Sequence, residues 1–308
     1  MRVLVTGASG FVGPALVTTL AQAGHRVRAA ARRPPPFPTS VEPVQHGDLA
    51  DVIDWLPLVE GCDAVVHLAG IAHVGLAIPD ALYDRVNHQA TRSLLCAAET
   101  AKVSRFIFIS SIRAQTGAAA DHVLTEGDEP RPTEPYGASK LAAERAVADS
   151  PLPYVILRPV LVYGPQARGN FATLSRVAAL PVPLPFGGFR NRRSLVSRDA
   201  LIDAIRYALT ADLARETFIV ADRAPIAFSD MLAALRRGLG RGPGLITVPR
   251  ALVSAPLRFA GRADILERID GELIASPDKL INKGWRGAAD TAASLEQVAR
   301  QIAAGRRT

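Results

Sequence analysis

Tyr136 and Lys140, in the stretch PYGASK, carry the clearest chemistry of this 308-residue chain. A spacing of four places both side chains on one face of a helix. A phenol titrates near pH ~10 and is a poor base at neutrality. A neighbouring ammonium favours the phenolate, so the pair reads as a proton-transfer couple rather than as an exposed helical contact. Lysine is scarce, with Lys102, Lys140, Lys279 and Lys283 against 36 Lys and Arg together, which makes the spacing uncommon by chance. Ser110 and Ser111 close an apolar run in FIFISSIRAQTG. At the C-terminal end of a parallel strand a hydroxyl points into the ligand crevice, where it can hold an oxygen beside the phenol and polarise a carbonyl. Either serine serves equally well as a turn cap.

A second set of residues points to a dinucleotide. TGASGFVG supplies Gly7, Gly10 and Gly13, with Phe11 and Val12 between the last two, where a strand turns into a helix. The three glycines allow a tight turn, close approach of a pyrophosphate and close helix packing, and the phosphates meet the helix N-terminus. Asp48 and Leu49 in HGDLAD follow the third strand; Asp48 either accepts from the adenine amino group or caps a helix from Val52 onward. HLAG, with Leu68, Ala69 and Gly70, ends the fourth strand in small residues that let backbone lie against a ring or ribose, while His67 reads as a packing histidine. Where an acid would grip the adenosine ribose, the second strand ends in Ala31, Arg32 and Arg33. The arginines offer countercharge to a 2′-phosphate, which favours NADP(H) over NAD(H). The alternative is a solvated loop ahead of Pro34 to Pro36.

The elements that must position these residues follow from hydrophobic patterning. Val3 to Thr6, Val27 to Ala31, Ala64 to Leu68, Phe106 to Ser110 and Tyr154 to Leu157 are nearly continuous apolar runs, as in a parallel sheet covered on both faces. Helical patterns occupy Val12 to Ala23, Leu82 to Thr100 and Tyr136 to Ala148 between them. The stretch from Ile112 to Pro135 shows no element of its own. Past Pro159 the alternation stops. Proline and glycine crowd PVPLPFGGFRNRRS, and shorter helical patterns span Ala200 to Leu209, Phe228 to Leu235 and Ser294 to Ala303. The expected architecture is α/β, a Rossmann-type doubly wound parallel sheet over residues 1–165. A smaller substrate-binding lobe over 166–308 interleaves with the core, and the ligand lies in the cleft.

Composition bounds the rest. Hydrophobic residues make up 48% and charged residues 21%, ordinary values for a soluble enzyme. No apolar run approaches the ~20 residues of a membrane span, and the N-terminus lacks a signal-peptide pattern. Cys62 and Cys96 form neither a disulfide framework nor a metal-ligand spacing, so a cytoplasmic location is expected and no metal. The net charge of +7 comes without a basic helix or finger spacing, which argues for small anionic ligands and against nucleic acid.

Taken in order, TGASGFVG, HLAG, Asn87 in VNHQAT, SSIRAQ, YGASK and LRPVLVYGP resemble the extended short-chain dehydrogenase/reductases, the NAD-dependent epimerase/dehydratase group. The resemblance implies that Tyr136 is the acid/base and that Lys140 orients the nicotinamide ribose and tunes Tyr136. It makes Ser111 the third member and gives Asn87 the task of holding the site beside the cofactor. RGNFATL and PLPFGGFRNRRSLVSRDALIDAI are similar to the substrate lobe of bacterial nucleotide-sugar 4-epimerases and 4-keto-sugar reductases. That likeness implies Asn170 and Arg193 on a nucleotide diphosphate, and Arg158 to Pro165 around the sugar, with Leu161 where the family often carries asparagine. The implied activity is oxidoreduction at C-4 of a nucleotide sugar, with a 4-keto-sugar reductase placed ahead of a 4-epimerase. Reduction of a non-sugar ketone and a cofactor-binding sensor without turnover are the other readings. A homodimer through two helices suits the fold by analogy.

Overall fold

Strands apolar on both faces cannot sit at a surface, and here they fill the middle of one large sheet. The structure, a computed structural model, describes residues 1–72, 78–167, 169–249, 251–253, 255, 271–287 and 290–305. In chain order the strands are β1 (Arg2–Thr6), β2 (Arg26–Ala31), β3 (Val41–Gln45), β4 (Ala64–His67), β5 (Arg105–Ile109) and a short β6 (Val123–Leu124). They continue as β7 (Tyr154–Pro159), β8 (Leu161–Tyr163), β9 (Arg192–Arg193), β10 (Leu195–Ser197), β11 (Glu216–Val220), β12 (Ile226–Ala227) and β13 (Ile274–Ala275). Seven form the sheet in the order β11-β7-β5-β4-β1-β2-β3, and every pair from β7 to β3 is parallel. The order reverses between β1 and β4, the switch point at which such sheets bind ligands. Pro43 sits in β3, at the sheet's edge, where a missing N–H is tolerated.

The helices are α1 (Gly13–Gln22), α2 (Leu56–Val59) and α3 (Asp80–Tyr83), which runs through a π-helical segment (Asp84–Gln89) into α4 (Ala90–Thr100). They continue with α5 (Pro135–Asp149), α6 (Asn170–Ala178), α7 (Arg198–Thr210) and α8 (Phe228–Gly238), then helical segments Asp278–Asn282 and Thr291–Gly305. The stretch from Ile112 to Pro135 is less empty than expected. It opens with a 3-10 turn, Ile112–Ala114, and contains β6.

Two compact units emerge, and neither is one continuous block. The sheet unit comprises Met1–Gly117, Asp128–Pro159 and Ile202–Ile219; the second comprises Ala118–Gly127, Val160–Leu201 and Val220–Thr308. The expected division at residue 165 is therefore corrected. Strand β11 and most of α7 return to the sheet unit, because β11 completes the sheet beside β7. In the sheet unit the core gathers Leu4, Val65, Leu94, Phe106, Phe108 and Ile156. The second unit has its own core of Tyr163, Phe171, Leu184, Phe189, Phe228 and Leu295.

Part of the arginine surplus is spent on helix ends. Arg28 Nη1 donates to the carbonyls of Pro57, Leu58 and Glu60 at the end of α2. Arg105 donates to Ala208 and Ala211 at the end of α7, and Arg215 to Ala148, Ser150 and Leu152 at the end of α5. In the second unit Arg236 donates to Ala178 and Leu180 at the end of α6. These are the carbonyls a helix leaves without partners, and they carry the negative end of its dipole. Among the described residues no helix is long and apolar enough to cross a membrane, and no cluster of ligating side chains suits a metal.

Candidate active site

Ser111 follows β5 in extended conformation (φ −160°, ψ 151°), and its Oγ accepts the N–H of Arg113 at 3.1 Å, which starts the 3-10 turn. Tyr136 enters α5 just behind Pro135, a residue suited to the first helical position. The phenol shares a hydrogen bond with Ser111, so this serine is both a turn cap and a partner of the tyrosine. Ser110, its neighbour, is buried with its hydroxyl unpartnered. Burial pushes the Tyr136 phenol above its ordinary value; the Ser111 hydrogen bond and the charge of Arg113 pull it back, and Tyr83 adds to the rise. The Tyr83 ring lies 6.0 Å from that of Tyr136 between centroids.

Lys140 differs from its expected part. One helical turn beyond Tyr136 it is buried, and its Nζ donates to the Ile109 carbonyl at 2.7 Å, 4.3 Å from the centre of the Phe108 ring. Burial lowers its pKa to about 8, against the pull of Glu144. The ammonium is turned onto the end of β5, and the cation that draws the phenol down is Arg113.

The glycine turn is built as its spacing predicts. Gly7 has φ +71°, and a Cβ there would stand 2.7 Å from the Ala69 nitrogen, so TGASG and HLAG lie backbone against backbone. A Cβ on Gly13 would stand 2.4 Å from the Gly7 carbonyl oxygen, which seats α1 directly on the turn, while Gly10 donates to Gly7 at 2.9 Å. Val12, at the N-cap, supplies no side-chain hydrogen bond to the start of α1, and Phe11 is half-buried beside it. Of the HLAG residues, Ala69 is buried and Leu68 half-buried. Leu49 packs against the sheet-unit core.

Asn87 is a clamp. Its Oδ1 accepts the Ile71 N–H at 2.8 Å; its Nδ2 donates to the Ile71 carbonyl at 3.1 Å and to Ser139 Oγ at 3.0 Å. Ser139 in turn donates to the Tyr136 carbonyl at 2.8 Å. The π-helical segment thus ties the chain after HLAG to the first turn of α5. His67 is fully buried between Thr6 Oγ1 (2.7 Å) and Thr91 Oγ1 (3.0 Å), a packing position.

Three residues make contacts that their motifs did not indicate. Asp48 caps no helix at Val52: Val52 is fully exposed, and α2 begins only at Leu56. Its Oδ1 accepts the Ala50 N–H at 3.0 Å, its Oδ2 pairs with Arg32 at 2.8 Å, and these two contacts hold its carboxyl below the ordinary range. Arg32 is therefore engaged with an acid, while Arg33 is exposed. Arg158, expected beside the sugar, is engaged in a buried pair: Nε and Nη2 grip Glu144 at 3.0 and 2.6 Å, and Nη1 donates to Gln115 at 3.1 Å. In the second unit, Arg193 lies half-buried in β9, paired through its backbone with Ile226, and Leu161 is exposed on β8. Asn170 opens α6, and its side chain lies outside the described residues. The motifs overlooked Tyr83, Arg113 and Glu134; the only signal was proximity, since Arg113 follows Ser111 by two positions and Glu134 precedes Tyr136 by two.

Known proteins place this geometry in context. Residues 3–221 match the model of the NAD dependent epimerase/dehydratase family. The chain is 33% identical over 282 residues to UDP-glucose 4-epimerase of Vibrio cholerae, covering 88% of this chain and 86% of that one. It is 29% identical over 253 residues to ceramide reductase of Caulobacter vibrioides, covering 80% and 73%. The structure of MoeE5 in complex with UDP-glucuronic acid and NAD matches with a TM-score of 0.76 at 28% identity, covering 100% of this chain and 99% of that one.

Proposed function

The chain belongs to the NAD dependent epimerase/dehydratase family, and on that premise we propose that it is an NAD-dependent 4-epimerase of a nucleotide sugar. The hydrogen bond between Ser111 and Tyr136, with Lys140 one turn further on, carries the reading. Similarity to UDP-glucose 4-epimerase supports the substrate class. The residues present fit a dinucleotide: the bare glycine turn and the N-terminus of α1, uncapped by any side chain, suit a pyrophosphate. When bound, the nicotinamide supplies a hydride acceptor and donor. Tyr136 takes the C-4 hydroxyl proton as phenolate and returns it as phenol. Ser111 holds the same oxygen at both stages, and Asn87 keeps the first turn of α5 in place through Ser139. Lys140, anchored on Ile109, is assigned to the nicotinamide ribose. Asn170 and Arg193 are assigned to the nucleotide diphosphate, for which a guanidinium offers a planar two-pronged donor.

Cofactor choice separates this from a second reading. The Arg32–Asp48 pair shares with an acid the charge a 2′-phosphate would need, which moves the balance from NADP(H) to NAD(H) and from reductase to epimerase. Arg33, exposed beside it, is the observation that keeps an NADPH-consuming 4-keto-sugar reductase as the alternative. The test incubates the protein with UDP-, dTDP- and GDP-sugars, 4-keto forms included, while following NAD(P)H and sugar configuration. Isomerisation without net oxidation identifies an epimerase; stoichiometric NADPH oxidation identifies the reductase. Tyr136→Phe is expected to lower kcat by about 10²-fold or more. Full turnover in that variant ends the acid/base assignment.

A further inference from the structure

We propose that Arg113 is a positioning residue for the Ser111–Tyr136 couple, holding the serine through its backbone and the tyrosine through its side chain. This deepens the reading above and rests on it for its kinetic part alone.

Three contacts from one residue meet at the couple. The Arg113 N–H donates to Ser111 Oγ at 3.1 Å, which fixes the hydroxyl and leaves its hydrogen and second lone pair for the phenol or a substrate oxygen. The Arg113 carbonyl packs on Gly137, the residue after Tyr136: a Cβ there would stand 2.2 Å from that oxygen, so only glycine lets α5 sit this close to the 3-10 turn. The guanidinium, mostly buried, forms an ion pair with Glu134, two residues ahead of Tyr136. The Glu134 carbonyl accepts the Ala138 N–H in the first turn of α5. Arg113 thus sets the distance between the two elements that carry the hydroxyl and the phenol.

Its charge has a chemical consequence. Acting on the phenol are Ser111, Arg113 from the 3-10 turn and Tyr83 from α3; Asp80 and Glu134 act in turn on Tyr83, and Lys140, one helical turn on, has its ammonium on the Ile109 carbonyl. A fixed cation in a partly desolvated place favours the phenolate more than it would in water. Glu134 keeps that cation from swinging into solvent.

The phenol itself is the readout. Tyrosinate absorbance is titrated in wild type, Arg113→Gln, Arg113→Lys and Glu134→Gln, each with a Tyr136→Phe background subtracted so that Tyr136 alone remains among the five tyrosines. Arg113→Gln is expected to move the midpoint up by about one pH unit and Arg113→Lys by much less, whereas Glu134→Gln, which removes the carboxylate offsetting the guanidinium but keeps an acceptor for it, is expected to move it down. In turnover, Arg113→Gln then shifts the acid limb of the pH profile upward by about the same amount. Its kcat near pH 7 falls about tenfold with little change in KM. A folded Arg113→Gln protein whose Tyr136 midpoint stays put overturns the proposal. So does a Glu134→Gln midpoint that is unmoved or raised, a measurement that stands even where Arg113→Gln fails to fold. Failure of the epimerase reading shows differently, as stoichiometric NADPH oxidation by the wild-type protein.

Discussion

His67 in the sheet unit and Asp222 in the second unit are both almost wholly removed from solvent, and both favour their neutral forms. They get there by different means. Ala69 donates its N–H to Thr6 Oγ1, and Thr91 Oγ1 donates to the Asn87 carbonyl. Thr91 can then only accept from the imidazole Nε2, which leaves Nδ1 to accept from Thr6. Every ring position is satisfied without a proton to spare, and burial, with Lys140 and His46 adding repulsion, lowers its pKa to about 3. Asp222 has one side-chain donor, the Tyr163 hydroxyl at 2.9 Å, and burial outweighs it to raise the carboxyl to about 6. The lesson is one of sign. A histidine that must stay neutral penalises acid, whereas a carboxyl that prefers its proton welcomes it.

Arg158→Met would break the contrast most forcibly. It leaves Glu144 a buried acid of the sheet unit without its bidentate partner, and a loss of ~3–5 kcal/mol is expected in denaturant unfolding. A loss under 1 kcal/mol would mean that water reaches this pair.

Acidification from pH 7 to pH 5 is expected to act next. Because the folded pKa of His67 lies below the unfolded value near 6.5, its stabilising contribution is complete above that value and falls away as pH drops. The cost reaches ~2 kcal/mol at pH 5. Hydrogen exchange in β1 and β4, corrected for intrinsic rate, should speed up accordingly, and His67→Gln should flatten the response.

Asp222 gives the smallest effect, of opposite direction. Its folded pKa lies above the unfolded 3.8, so its contribution is complete below that value and is lost as pH rises through about 6. Between pH 7 and pH 5 the second unit should gain ~1 kcal/mol from this group, seen as slower exchange in β8 and β10. Asp222→Asn should abolish the gain. Parallel responses in both units would show that neither buried group governs its surroundings.

What the sequence revealed, and what it hid, divides by range. The glycine turn and the Tyr136/Lys140 spacing are local patterns, and local geometry alone fixes which way those residues face. Partners far along the chain were invisible. Arg158 reads as a motif residue until Glu144, 14 positions away, claims it, and Arg32 reads as a free cation until Asp48, 16 positions away, does the same. The return of β11 to the sheet is of the same kind, since no local pattern tells a strand which edge to join. One miss was avoidable. A helix from Val52 would hold Pro57 in its interior, and the structure starts α2 at Leu56, where that proline is harmless.

The arginine clamps on the helix ends bear on how the protein ages. Acylating agents attack amines, and lysine is their usual target in a folded chain. Here the joints at the ends of α2, α5, α6 and α7 are all guanidinium, and the whole sequence offers four lysines, of which Lys140 is buried. Slow chemical damage of that type therefore has few places to begin, and none of them is one of these helix-end clamps.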